Sequence, residues 1–154
     1  MKTIKSSAFI LPALLFLHAQ VFANPGFELG VIVGEPTGLS IKQWVSSKGA
    51  FDGAAAWSFA GGDFLHIHAD YLIHNHRFIK VTRGSLPLYM GLGGVIRIAG
   101  AGKAHVGARI PFGMSYLFEG APLDLFLEIA PIFELAPATQ FDMSGGLGLR
   151  FTFG

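Results

Sequence analysis

From Phe64 the chain reads FLHIHADYLIHNH, and polar and apolar side chains alternate along it with a period of two residues. His66, His68, Asp70, His74 and His76 take the even positions, while Leu65, Ile67, Ala69, Tyr71 and Ile73 take the odd ones. That spacing makes a β-strand with one polar and one apolar face. The same parity recurs along the chain and predicts eight strands, at residues 27–34, 38–45, 50–59, 64–74, 86–98, 103–117, 122–134 and 142–153. Glu35-Pro36-Thr37, Ser46 to Gly49, Gly61-Gly62-Asp63 and Glu119-Gly120-Ala121 supply turn chemistry between them, and only the connection from Asn75 to Ser85 is long. An even number of strands joined by short turns predicts an all-β, antiparallel, up-and-down barrel. Pro87, Pro111 and Pro131 fall within strand-like runs. They are expected to mark strand ends or bulges, because a closed ring has no free edge for a residue without an N–H.

Sorted by parity, the strands gather bulky side chains on one face. These run from Phe27, Leu29, Val31 and Val33 in the first strand to Leu123, Leu125, Leu127, Ile129 and Phe133 in the seventh and Leu147, Leu149, Phe151 and Phe153 in the last. No charge falls among them. The opposite face carries Glu28, Lys42, Asp52, His66, His68, Asp70, Arg97, His105, Arg109, Asp124, Glu128 and Arg150, spaced by Gly, Ala and Ser. Trp44 falls there too, with no role that parity supplies.

Volume decides which face points inward. Eight strands enclose just enough room for side chains, so the bulky face would overfill the interior, whereas small residues with a few opposite charges fit. The apolar face is therefore expected to look outward into lipid, as in a transmembrane barrel. The alternative is a soluble periplasmic, lipocalin-like barrel with the faces exchanged. Two substitutions separate these readings: Leu127→Arg is expected to be costly, and Gly146→Ser, on the inner face, mild.

Composition sharpens the membrane reading. Hydrophobic residues make up 51% of the chain, charged residues 14%, and the mean hydropathy is +0.51, yet no later segment is long enough for a membrane helix. High hydrophobicity without such a helix points to membrane strands. Lys2 and Lys5 precede an apolar run from Ala8 to Leu17, and Val21 and Ala23 stand at small-residue positions, which marks residues 1–23 as a cleaved signal peptide. Residues 24–154 then form a single barrel domain with nine basic and ten acidic residues, a net charge of −1. That balance argues against nucleic acid as a partner. With 0 cysteines, stability in an exported protein has to come from hydrogen bonds and packing.

Several stretches resemble a widespread, largely uncharacterised bacterial family of small outer-membrane barrels that share the eight-stranded architecture of the OmpA membrane domain. They are GEPTGLS from Gly34, Trp57-Ser58-Phe59, LHIHADYL from Leu65, Pro87-Leu88-Tyr89 with Gly91 and Gly93, RIPFG from Arg109, and APLDLFLEIAPIFELAPAT from Ala121. The resemblance implies an outer-membrane location with both termini periplasmic, and it brings no reaction or ligand with it. The alternation of Leu147, Leu149, Phe151 and Phe153 resembles the terminal strand by which the barrel-assembly machinery recognises its clients, although Gly154 stands where an aromatic residue is usual. Outer-membrane lipids and that machinery are the expected partners, and the chain is expected to be a monomer.

Three groups could carry chemistry. The twelve inward residues are expected to plug the lumen with ion pairs, in a structural role or one not yet defined; a narrow channel or small-ligand-binding barrel is the alternative. His66 and His68, two residues apart on one face beside Asp70, are weak candidates for a metal site. A hydrolase acting on lipid A would need a His and a Ser on the outward wall, and every strand histidine has inward parity, so no enzyme activity, catalytic residue or cofactor is expected. His76, Arg77, Lys80 and Arg83 form a basic cluster in the long connection, which introduces lipopolysaccharide phosphates as a further partner to weigh.

Overall fold

The computed structural model describes residues 26–58, 64–100 and 102–153. The expected signal peptide, the turn at 61–63 and Gly154 lie outside them. Nine strands run through the described residues: β1 (Phe27–Glu35), β2 (Thr37–Trp44), β3 (Gly49–Ser58), β4 (Phe64–Asn75), β5 (Leu88–Ala99), β6 (Ala104–Arg109), β7 (Phe112–Leu117), β8 (Leu123–Ala136) and β9 (Gln140–Phe153). All pairings between them are antiparallel. Neighbours in sequence pair with one another except β6 and β7, and β1 pairs with β9 from Phe27↔Phe153 to Glu35↔Gly145, so the sheet closes into a ring.

The count of nine corrects the expected eight. The run predicted at 103–117 is interrupted at Ile110-Pro111, and its halves β6 and β7 take one place in the ring, both pairing with β5 on one side and β8 on the other. Pro131 also departs from expectation, because β8 runs straight through it. Its position explains why: Ile110 N–H donates to Pro131 O at 3.1 Å, so the side of Pro131 that lacks a donor faces the interruption between β6 and β7. Pro111 and Pro87 behave alike, accepting from Gly91 N–H and Ser115 N–H at 3.0 Å each. Each proline keeps the accepting half of a rung and forfeits only the donating half.

Burial follows strand parity in an inverted sense. Val33, Leu92 and Leu135 are 62%, 65% and 63% exposed, and most large apolar side chains of the strands share that outward setting. Inside stand Ala50, Ala54, Ala56, Val95, Phe126, Ala130 and Ile132, together with the charged groups described below. Phe27 corrects the outward assignment: it is 5% exposed and packs against Phe153, with ring centroids 6.1 Å apart, at the end of the ring where β1 starts and β9 finishes.

Glycine lets the inner faces approach. A side chain at Gly148 would occupy the space of the Phe126 ring. At Gly146 an added Cβ would come within 2.8 Å of Ile32 Cγ1 and 2.9 Å of Val33 O. The inner face is therefore closely filled there, which overturns the expectation that Gly146→Ser is mild.

Candidate functional site

Ten of the twelve residues assigned by parity to the polar face are buried: Glu28, Lys42, Asp52, His66, His68, Asp70, Arg109, Asp124, Glu128 and Arg150. Arg97 and His105 are half-buried. Inward-facing positions on different strands bring these groups together in three tiers along the ring.

The tier nearest Phe27 and Phe153 centres on Asp124. Lys42 Nζ lies 3.2 Å and Arg150 Nη1 3.4 Å from Asp124 Oδ2, while Arg150 Nη2 reaches Asp52 Oδ2 at 3.2 Å. Arg150 Nε donates to Ser40 Oγ at 2.9 Å, and its guanidinium lies 3.8 Å from the centre of the Phe126 ring. A planar guanidinium with five donors serves two carboxylates, a hydroxyl and an aromatic face at once. Trp44 closes this end. Its Nε1 donates to Glu28 Oε1 at 2.7 Å, Lys42 Nζ sits 4.2 Å from its ring centre, and His74 lies against it with centroids 4.3 Å apart. The residue for which parity supplied no role is thus a lid over the buried lysine.

The middle tier centres on Arg109 and Glu128. Arg109 Nη2 donates to Glu128 Oε1 at 2.5 Å, and its Nε lies 3.4 Å from Asp70 Oδ2. Tyr89 OH donates to the other oxygen of Glu128 at 2.7 Å. His68 Nδ1 stands 3.0 Å from Asp70 Oδ2. His66 and His68 have ring centroids 5.5 Å apart with their planes nearly perpendicular, at 85°. Among the described residues the side chains that gather as a metal-binding set are Asp52, His68 and Asp70, with ligand atoms within 4.8 Å of one another. His66 stands outside that set.

The third tier lies toward the Pro36 turn. Arg97 Nη1 donates to Glu134 Oε1 at 2.9 Å and to Asp142 Oδ2 at 2.6 Å, with His105 Nδ1 3.4 Å from Glu134 Oε2. Ser58 Oγ donates to Glu35 Oε1. Beside them is a cavity of about 160 Å³ lined by Glu35, Ser58, His66, Arg97, Asp142 and Ser144, among others.

Tyr89, Glu134, Asp142, His74 and Ser40 belong to these tiers and were not among the twelve. Parity contained the signal for each: Tyr89 alternates with Leu88 and Met90, and Glu134 with Phe133 and Leu135. The basic cluster lies in the irregular segment 76–87 at the Phe27–Phe153 end of the ring, where His76 touches the first tier with its ring 6.4 Å from Trp44 and 6.5 Å from His74. There His76 is tied down by Ser85 Oγ at 2.9 Å and Ser47 O at 3.0 Å, and Arg77 and Lys80 are exposed.

No protein-family model matches the chain, and no curated protein matches it in sequence. The ring is similar to the crystal structure of the N-terminal β-barrel domain of Pseudomonas aeruginosa OprF, with a TM-score of 0.64 and 15% sequence identity over 82% of this chain and 96% of that one. That likeness shows the fold, an antiparallel all-β barrel.

Proposed function

We propose that the chain is an integral outer-membrane β-barrel protein, built as eight staves with β6 and β7 sharing one, whose role is structural and whose interior is closed by ion pairs. The inversion of burial carries this reading: side chains such as Leu92, Leu127 and Leu147 stand outside while Lys42, Arg109 and Arg150 stand inside. Water would disfavour that outer surface by ~25 cal/mol per Å² of apolar area. Acyl chains impose no such penalty. Strand lengths support the same reading, since 9–11 tilted residues cross a bilayer and β4, β8 and β9 have 12, 14 and 14. The basic start of the sequence supports export through a cleaved signal peptide.

On this reading the termini and segment 76–87 face the periplasm, where Arg77, Lys80 and Arg83 meet phospholipid head groups, and lipopolysaccharide lies at the opposite end. The assembly machinery and lipid are the partners, and the protein is a monomer without enzymatic activity. Ion pairs that cross the lumen at every tier support a plug over a channel.

Fractionation of expressing cells tests the location. The mature chain is expected in the outer-membrane pellet after a carbonate wash. Recovery in the soluble periplasmic fraction would overturn the proposal.

A further inference from the structure

We infer that Asp52, His68 and Asp70 form a binding site for one divalent transition-metal ion of the Zn²⁺ class in the middle of the barrel interior. Asp52 and Asp70 stand directly opposite each other in the β3–β4 register, and His68 is two residues from Asp70 on the same face. Their ligand atoms lie within 4.8 Å of one another. All three side chains are withdrawn from solvent, at 5%, 8% and 2% exposure. Asp52 Oδ1 and Asp70 Oδ1 nevertheless receive no hydrogen bond from a nitrogen or hydroxyl donor. Buried carboxylate oxygens in that state are costly. The guanidiniums of Arg150 and Arg109 approach the Oδ2 atoms, which leaves Asp52 Oδ1 facing the cluster without a donor, while Asp70 Oδ1 packs over Gly93, where the missing side chain makes room for it.

Charge gives a second, independent argument. Leaving aside Glu134, which pairs with Arg97, the buried interior holds the carboxylates Glu28, Asp52, Asp70, Asp124 and Glu128 against the cations Lys42, Arg109 and Arg150. Both arginines are already shared between two carboxylates. With all five acids ionised they would exceed the three bases by two charges, the charge of one dication. The donor set then selects among dications: an imidazole with two carboxylates suits zinc and its neighbours, whereas calcium takes six to eight oxygens. Entry runs through the cavity at the Pro36 end, which His66 lines, and the His66 ring is the inward side chain preceding His68 along β4. The inference needs only the barrel interior and stands apart from the membrane location.

The test uses the full mature chain, folded in detergent and stripped with a chelator. Equilibrium dialysis against Zn²⁺ is expected to load one ion per chain. Saturation at a hundredfold excess over Kd should raise Tm by about 10 °C. Asp70→Asn and His68→Gln should lose both effects, and His66→Gln should keep them. X-ray absorption of the loaded, unsubstituted protein should show oxygen ligands with a single imidazole, a result that stands even where a variant fails to fold. Absence of any bound ion in the unsubstituted protein, with the excess charge carried instead by protons shared between carboxyl groups, would overturn the assignment. So would loss of the ion in His66→Gln, or its retention in Asp70→Asn.

Discussion

The two ends of the interior hold the same kinds of side chain in different surroundings. Toward the Phe27–Phe153 end, Lys42, Asp124 and Arg150 are each at most 1% exposed, beneath the Trp44 lid. Toward the Pro36 turn, Arg97 joins Glu134 and Asp142 beside a cavity, and the Asp142 side chain keeps 44% of its exposure. Water can replace the lost partner of Asp142 at the open end, though Glu134 beside it is buried. At the closed end water cannot, and an ion left alone there bears its full desolvation penalty. Burial around a pair therefore governs its weight in this barrel more than the distance across it, for the shortest arginine–carboxylate contact of the open tier, 2.6 Å, involves its most exposed acid.

Arg150→Met probes the closed end most directly. It strands Asp52 and leaves Asp124 with Lys42 alone, so equilibrium unfolding by urea in detergent should show a loss of about 3–5 kcal/mol. A loss no larger than that of the matching substitution at the open end would dissolve the contrast.

Leu127→Arg places a charge outside the ring at mid-strand. If the outer face meets lipid, refolding into bilayers should show a loss of about 2–4 kcal/mol. An unchanged midpoint would say instead that this face meets water.

Tyr89→Phe removes one hydrogen bond to Glu128 without changing the packing volume, and should cost about 1–2 kcal/mol in the same urea assay. Arg97→Met should cost less than Arg150→Met, about 1–2 kcal/mol, since solvent reaches Asp142 and His105 stands at the other oxygen of the buried Glu134. Planar-bilayer recordings complete the series. A plugged lumen should give no reproducible steps, whereas steps that appear only in Arg97→Met would locate a gate at the open end.

Much of the fold is legible in the sequence because a two-residue period is a strong signal. The predicted starts and ends of the first five strands lie within two residues of those observed, as with 64–74 against Phe64–Asn75. The interruption at Ile110-Pro111 is less legible: a proline announces a missing donor, but whether its neighbour across the ladder also lacks one depends on register, which parity does not carry. Parity places Glu28, Lys42, Asp124 and Arg150 on one face, yet it cannot bring Lys42 to Asp124, 82 positions away along the chain. Phe27 and Trp44 escaped for a related reason. Both sit at the rim, where the strand ends and the inside–outside rule gives way to closure by rings.

The three prolines lie in one sector, where Pro87 meets Ser115, Pro111 meets Gly91 and Pro131 meets Ile110. In each couple a single N–H holds where two would stand in an unbroken ladder. Unzipping under heat or force should thus start along β5, β7 and β8 rather than at the β1–β9 junction that joins the two ends of the chain, and amide hydrogen exchange should be fastest beside those imino acids.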